Sequence, residues 1–140
     1  MGTHVSIFVV KKVNLEKALK ETDSAQVKPD HYFYLNDNNA FCCWFDQHVA
    51  KLDLAKGNCI VFPKHQQLKL LSALNEIDAT NCHLLYPTSN NEQLGDDSYS
   101  DNYWRDVNII RGMLLFLLSG VGDDPNVVLF QVTLNPYSKK

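Results

Sequence analysis

Five histidines and four cysteines are the side chains of this 140-residue chain best suited to hold a metal or attack a substrate. A tetrahedral zinc site draws on ligands paired within one turn, as in C-x2-C or H-x3-H. No such pair occurs among Cys42, Cys43, Cys59 and Cys82 or among His4, His31, His48, His65 and His83. The best remaining set, Cys43, Cys59 and His83 on neighbouring strands, lacks that spacing, so neither a metal nor a cofactor is expected. Nucleophilic catalysis needs a thiol or hydroxyl within reach of a base, and adjacency in sequence, as of Cys82 and His83, is no evidence of that. Asp46 and His48 would share a face of an extended segment and could form an orienting pair for general-base work. Asp46 as a helix cap is the simpler reading. There is no G-x-S-x-G elbow, Gly-rich phosphate loop or H-E-x-x-H helix. No catalytic residue is assigned, and the balance of motifs is against an enzyme.

The cysteines read as reduced thiols buried in strands, where cysteine behaves as a small apolar residue. The N-terminal stretch has no basic leader region, and its apolar part is too short for a secretory signal, so the cytoplasm is the expected compartment. Gly2 and Ser6 fit the loose myristoylation pattern, but a strand from Thr3 is the better reading. No apolar run exceeds the six residues of Met113 to Leu118, far below the roughly 18 that a membrane span requires. No membrane partner is expected.

Charge is distributed unevenly. Residues 1–70 hold nine lysines against seven acids, and residues 71–140 hold four bases against nine acids. Phosphate attraction needs clustered Lys and Arg, and this chain of net charge −3 has only Arg105 and Arg111 as arginines. Nucleic acid is therefore not an expected partner. Between positions 92 and 106, the acids Glu92, Asp96, Asp97, Asp101 and Asp106 surround Tyr99, Tyr103 and Trp104. Acids that steer a basic partner, with aromatics that anchor it, are a combination that protein-binding surfaces use. The plainer alternative is a solvated acidic loop whose Tyr103 and Trp104 dock the following helix into the core. The spacing lacks the acid-and-glycine pattern of a calcium loop.

The elements that must position these residues follow from periodicity. Val5, Ile7 and Val9 alternate with Ser6 and Phe8, which predicts a first strand over Thr3–Val10. Asn14 caps a short helix, Leu15 to Lys20, with Leu15, Ala18 and Leu19 inward, and a loop follows over 22–30. His31–Leu35 and Ala40–Phe45 are aromatic-rich β-formers around Asn36-Asp37-Asn38-Asn39, which predicts a hairpin with a four-residue loop. Gln47–Lys56 reads as a helix ended by Gly57 or as a loop. Cys59–Phe62 is a strand. Pro63 then opens a helix with Leu68, Leu71, Leu74 and Ile77 inward and Leu70 widening the stripe. Cys82–Tyr86 is a short strand and Pro87–Ser100 the longest loop. Asp101 or Asn102 caps a helix through Leu118, apolar on nearly all faces from Ile109 and ended by Ser119-Gly120. A turn leads to the last strand, Val127–Leu134, and the tail from Asn135 is expected to fray.

A hairpin inside a β-α alternation favours an α+β fold in one domain, residues 1–140. The sheet is expected to be mixed or largely antiparallel, with about five to six strands and three to four helices packed on it. The function that fits size, acidity and absent motifs is a protein-binding module. Its most concrete form is an immunity or inhibitor protein that occludes a basic partner, such as a toxin domain acting on nucleic acid. Glu92, Asp96, Asp97, Tyr99, Asp101 and Tyr103 would carry the contact. The alternative is a small enzyme or ligand-binding domain with a pocket between sheet and helices, lined by His31, Tyr34, Trp44 and His48. A polar-lined cavity would favour that alternative; a convex acidic surface would favour the inhibitor.

Overall fold

Alternation in the first and last strands sets the architecture. A computed structural model describes residues 3–20, 31–54, 56–95, 97–121 and 126–134. Strand β1, Thr3–Lys11, leads through a 3-10 turn into the short helix α1, Leu15–Lys20. Then come β2, His31–Asn36, and α2, Asn39–His48. Next are β3, Asn58–Val61, α3, Lys64–Glu76, and the single turn α4, Cys82–Leu85. Helix α5, Asp101–Phe116, runs through a widened turn, Leu117–Val121, toward β4, Asn126–Leu134. The sheet order is β2-β1-β4-β3 and every pairing is antiparallel, with Ile7 opposite both Phe33 and Phe130. The class is α+β, as the sequence predicts.

The strand count differs. Among the described residues there are four strands rather than five or six, because two predicted strands are helical. Ala40–Phe45 lies inside α2, so the expected hairpin does not form. A six-residue apolar run suits a buried strand and a buried helix equally, and periodicity alone does not separate them. The turn decides: Asp37 adopts φ 54, donates its amide to the Thr3 carbonyl, accepts the Thr3 amide on its carboxylate, and turns the chain away from the sheet. Once helical, the run gains pairs four residues apart, with Phe41 edge-on to Phe45 and Trp44 stacked on His48 at 4.8 Å. Cys82–Tyr86 is also helical rather than extended, since Asp78 accepts hydrogen bonds from the Thr80 and Asn81 amides and starts a turn there. Three of the four cysteines therefore sit on helices, and only Cys59 is on a strand. Asp46 falls near the end of α2 and caps no following helix. Its carboxylate accepts the Leu52 amide at 2.7 Å in the loop that leads to Gly57.

Both faces of the central strands are buried, which the sequence pattern of β1 shows only in part. Val5, Ile7, Val9, Val128, Phe130 and Val132 pack under α2, α3 and α5, while Phe8, Val10 and Leu129 face Leu15 of α1. In α3 the inward stripe is Gln67, Leu70 and Leu74, with Leu71 and Ile77 partly buried; Leu68 faces solvent instead. Gln67 is satisfied by donating to the Phe62 carbonyl at 2.8 Å. Leu19 is exposed rather than inward. In α5 Ile110, Met113 and Leu114 are core, but Ile109, Leu115 and Phe116 keep substantial exposure. Gly120, at φ 114, ends this helix, as its sequence position predicts. The loop over 22–30, the turn at 122–125, the tail from Asn135 and the side chain of Ala18 lie outside the described residues.

Candidate functional site

Three segments far apart in sequence meet where α2 begins. They are the turn from β2 into α2, the first two turns of α5, and the chain over residues 86–95 and 97–98 that lies across both. Asn39 fastens this arrangement from a buried position. Its carboxamide nitrogen donates to the carbonyls of Ser89 at 2.8 Å and Gly95 at 3.2 Å, and its oxygen accepts the Ser89 amide at 2.7 Å. Gly95, at φ 88, comes so close that an added Cβ would stand 3.0 Å from the Asp37 Cβ. Thr88 closes the other end, its hydroxyl donating to the Asp97 carbonyl and its amide to the Tyr99 hydroxyl.

A cavity of about 350 Å³ lies between these segments, and its walls are largely polar. The turn contributes Asn36, Asp37 and Asn38; α5 contributes Asn102, Arg105 and Asp106; Tyr86 and Thr88 come from the covering chain. The polar groups are unevenly satisfied. Asn38 is only 4% exposed. The Tyr86 hydroxyl is buried without a partner, and burial followed by the neighbouring Tyr103, Cys42 and Asp106 pushes its pKa far up. Asp106 is half-buried and has no ion pair among the described residues; burial raises its carboxyl above the usual range and the Arg105 charge only partly opposes this.

That last shift has a definite sign. A carboxyl with a folded pKa above its unfolded value binds its proton more tightly when folded. Ionised Asp106 thus opposes folding above its folded pKa, and the opposition fades as pH falls through it. Asp106→Asn is expected to hold or raise stability at about pH 7 and to leave it unimproved in acid. Denaturant unfolding at the two pH values checks this, and a clear loss at neutral pH would reveal a stabilising partner for the carboxylate.

The residues of the predicted contact are partly gathered here. Asp97 and Asp101 are exposed, and Tyr99 is 39% exposed, its ring 4.9 Å from Tyr103. Tyr103 itself is 6% exposed and donates its hydroxyl to the Tyr86 carbonyl at 2.7 Å, so it docks α5 onto the core and offers little surface. Asp96 and the side chain of Glu92 lie outside the described residues. Of the residues offered for a pocket, His31, Tyr34, Trp44 and His48, none lines this cavity or the one beside Cys42 and Cys43. His31 meets Phe116 and Tyr34 meets His4, whereas His48 stacks on Trp44. Asp46 engages Leu52 and Lys51 rather than His48. Asn38, Tyr86 and Asn102 escaped the sequence reading; the one available signal was the run Asn36-Asp37-Asn38-Asn39, which also fits a simple turn. No protein family, curated protein or solved structure matches this chain.

A second cavity, of about 340 Å³, lies beside Cys42 and Cys43 near the Asp46–Lys51 ion pair. The thiols there are poor nucleophiles. Burial pushes Cys42 up to about 12 and Cys59, on β3, up to about 11, and burial with the Asp46 charge raises Cys43. No group of three or more His, Cys, Asp or Glu among the described residues could hold a metal. All four cysteines are free. Thiol titration is expected to be slow in native buffer and to reach four per chain in denaturant. Rapid native labelling of Cys42 or Cys82 would contradict their burial. No helix among the described residues is long and apolar enough to cross a membrane.

Proposed function

We propose that this chain is a protein-binding module whose acidic-aromatic surface, at the start of α5 and the segment before it, takes up a basic partner. The observation that carries the reading is Tyr99. Its ring is half-exposed between the exposed Asp97 and Asp101, and its hydroxyl is held by the Thr88 amide at 3.1 Å. A fixed aromatic side chain flanked by carboxylates gives up little entropy on docking, and the acids raise the association rate of a basic protein. In its most concrete form the module is a cytoplasmic immunity or inhibitor protein. It occludes the surface with which a partner such as a toxin domain contacts phosphate. Asp106 and Asp37, in the adjoining cavity, extend the negative surface inward.

The test is association and dissociation kinetics with a copurifying basic partner at two ionic strengths. Replacing Asp96, Asp97 and Asp101 with Asn is expected to slow association by about tenfold or more and to flatten its salt dependence. Tyr99→Ala is expected to speed dissociation by an amount equivalent to roughly 2 kcal/mol. Unchanged kinetics in both folded variants would place the interface elsewhere. A second reading, a small ligand-binding domain, draws on the polar cavity itself, which lies at the small end of the roughly 300–1,000 Å³ typical of ligand sites.

A further inference from the structure

We propose that the polar cavity beside Asn38 and Asp106 is a receptor for one organic cation, the guanidinium or ammonium group of a basic side chain on the partner. The source of that cation rests on the proposed protein-binding function; the chemistry of the cavity does not. Buried polar groups in folded proteins are paired with few exceptions, and leaving one unpaired costs free energy. Here one such exception, the Tyr86 hydroxyl, adjoins a space that the largely buried Asn38 and the half-buried Asp106 also line. The carboxylate is the strong acceptor among them. An ionised carboxylate only accepts, an amide oxygen accepts, and a phenol can do either.

Asp37 adds a second carboxylate to the same wall, where one of its oxygens already accepts the Thr3 amide at 3.1 Å. Among the described lining residues Asp37 and Asp106 are acidic and the exposed Arg105 is basic, which gives them a net charge of −1. A single positive charge therefore balances these residues. A guanidinium is the better fit, since its planar fork presents five donors to a carboxylate and the surrounding amide oxygens, whereas an ammonium presents three from one point. The cavity of about 350 Å³ admits one side chain. Its position beside Thr88, which holds Tyr99, lets an aromatic anchor outside and a cation inside engage neighbouring residues of one partner.

The experiment uses the full chain and backbone amide NMR titration. The probes are N-acetyl-arginine amide, its lysine and norleucine counterparts, and free L-arginine. The blocked arginine is expected to shift Asn38, Asn102 and Asp106, the lysine probe to do so more weakly, and the neutral norleucine probe not at all. Asp106→Asn is expected to weaken the arginine probe by roughly thirtyfold or more, the usual scale for losing one partner of a buried charge pair. Asn102→Ala, on the exposed side of α5, is expected to weaken it several-fold with the fold intact. No shift with any cation would leave a cavity filled by water alone and overturn the proposal. So would equal binding of the norleucine probe, or undiminished binding by Asp106→Asn. Binding of free L-arginine but not of the blocked form would overturn it in favour of an amino-acid pocket using Arg105. The Tyr99→Ala variant is expected to keep binding the arginine probe. If it does while partner kinetics are also unchanged, the docking surface fails and the cavity stands.

Discussion

Phe45→Ala is expected to lower stability by about 3–5 kcal/mol, the usual range for emptying a buried aromatic site. Its ring is fully buried, lies parallel to Phe130 of β4 with centroids 3.8 Å apart, and meets Phe62 edge-on at 5.4 Å. Deleting it removes the closer of the two α2 rings packed on Phe130, the other being Phe41, edge-on at 5.5 Å. Against a total stability of about 5–15 kcal/mol for an ordinary domain, such a loss brings the chain near unfolding. Denaturant titration of the variant against the native chain measures it, with a lower midpoint at unchanged slope as the expected form. A change below about 1 kcal/mol would mean that α2 does not pack as described. Gln47→Ala, two positions on and exposed, is expected to move stability by less than about 0.5 kcal/mol.

Asn39→Ala is the second large effect, and it acts on the site as well as on the fold. The substitution removes three hydrogen bonds and leaves the Ser89 amide and two carbonyls to find other partners. With roughly 0.5–1.5 kcal/mol for each net hydrogen bond and more for groups left buried, the expected loss is about 2–4 kcal/mol. The consequence is local before it is global. The chain from Ser89 to Gly95 is tied to the fold through this side chain, so its amides are expected to lose hydrogen-exchange protection well before those of β1 and β4. Asn39 itself lines the polar cavity, and the segment it ties down follows Thr88 on the same lining, so binding of the arginine probe is expected to fall as well. Retained protection at Ser89 in the variant would show that other contacts hold the segment.

The two residues differ in how far the sequence announced them. Phe45 is legible as core from its type, but its element is not, because Ala40–Phe45 has the composition of a strand and the length of either. Asn39 is legible only as a turn residue; that its carboxamide reaches residues 50 and 56 positions on has no local signature. Asp106 stands among the acids that mark the surface, yet its half-burial depends on a turn and a covering chain far away in sequence.

What the sequence by itself determined is the α+β class, the first and last strands to within a residue, the helix opened by Pro63, the long helix that follows the acidic loop, and the uneven placement of charge. Each rests on period, caps or composition within one short window, which local sterics and solvation enforce. Only the tertiary structure decided that α2 is a helix, that β1 is buried on both faces, and that Tyr103 faces the core while Tyr99 does not. It alone assembled the cavity from Asp37, Asn38, Tyr86 and Asp106. The physical reason is the same throughout. Burial and the pairing of polar groups depend on residues distant in the chain, and a window of sequence holds no record of what will lie across from it.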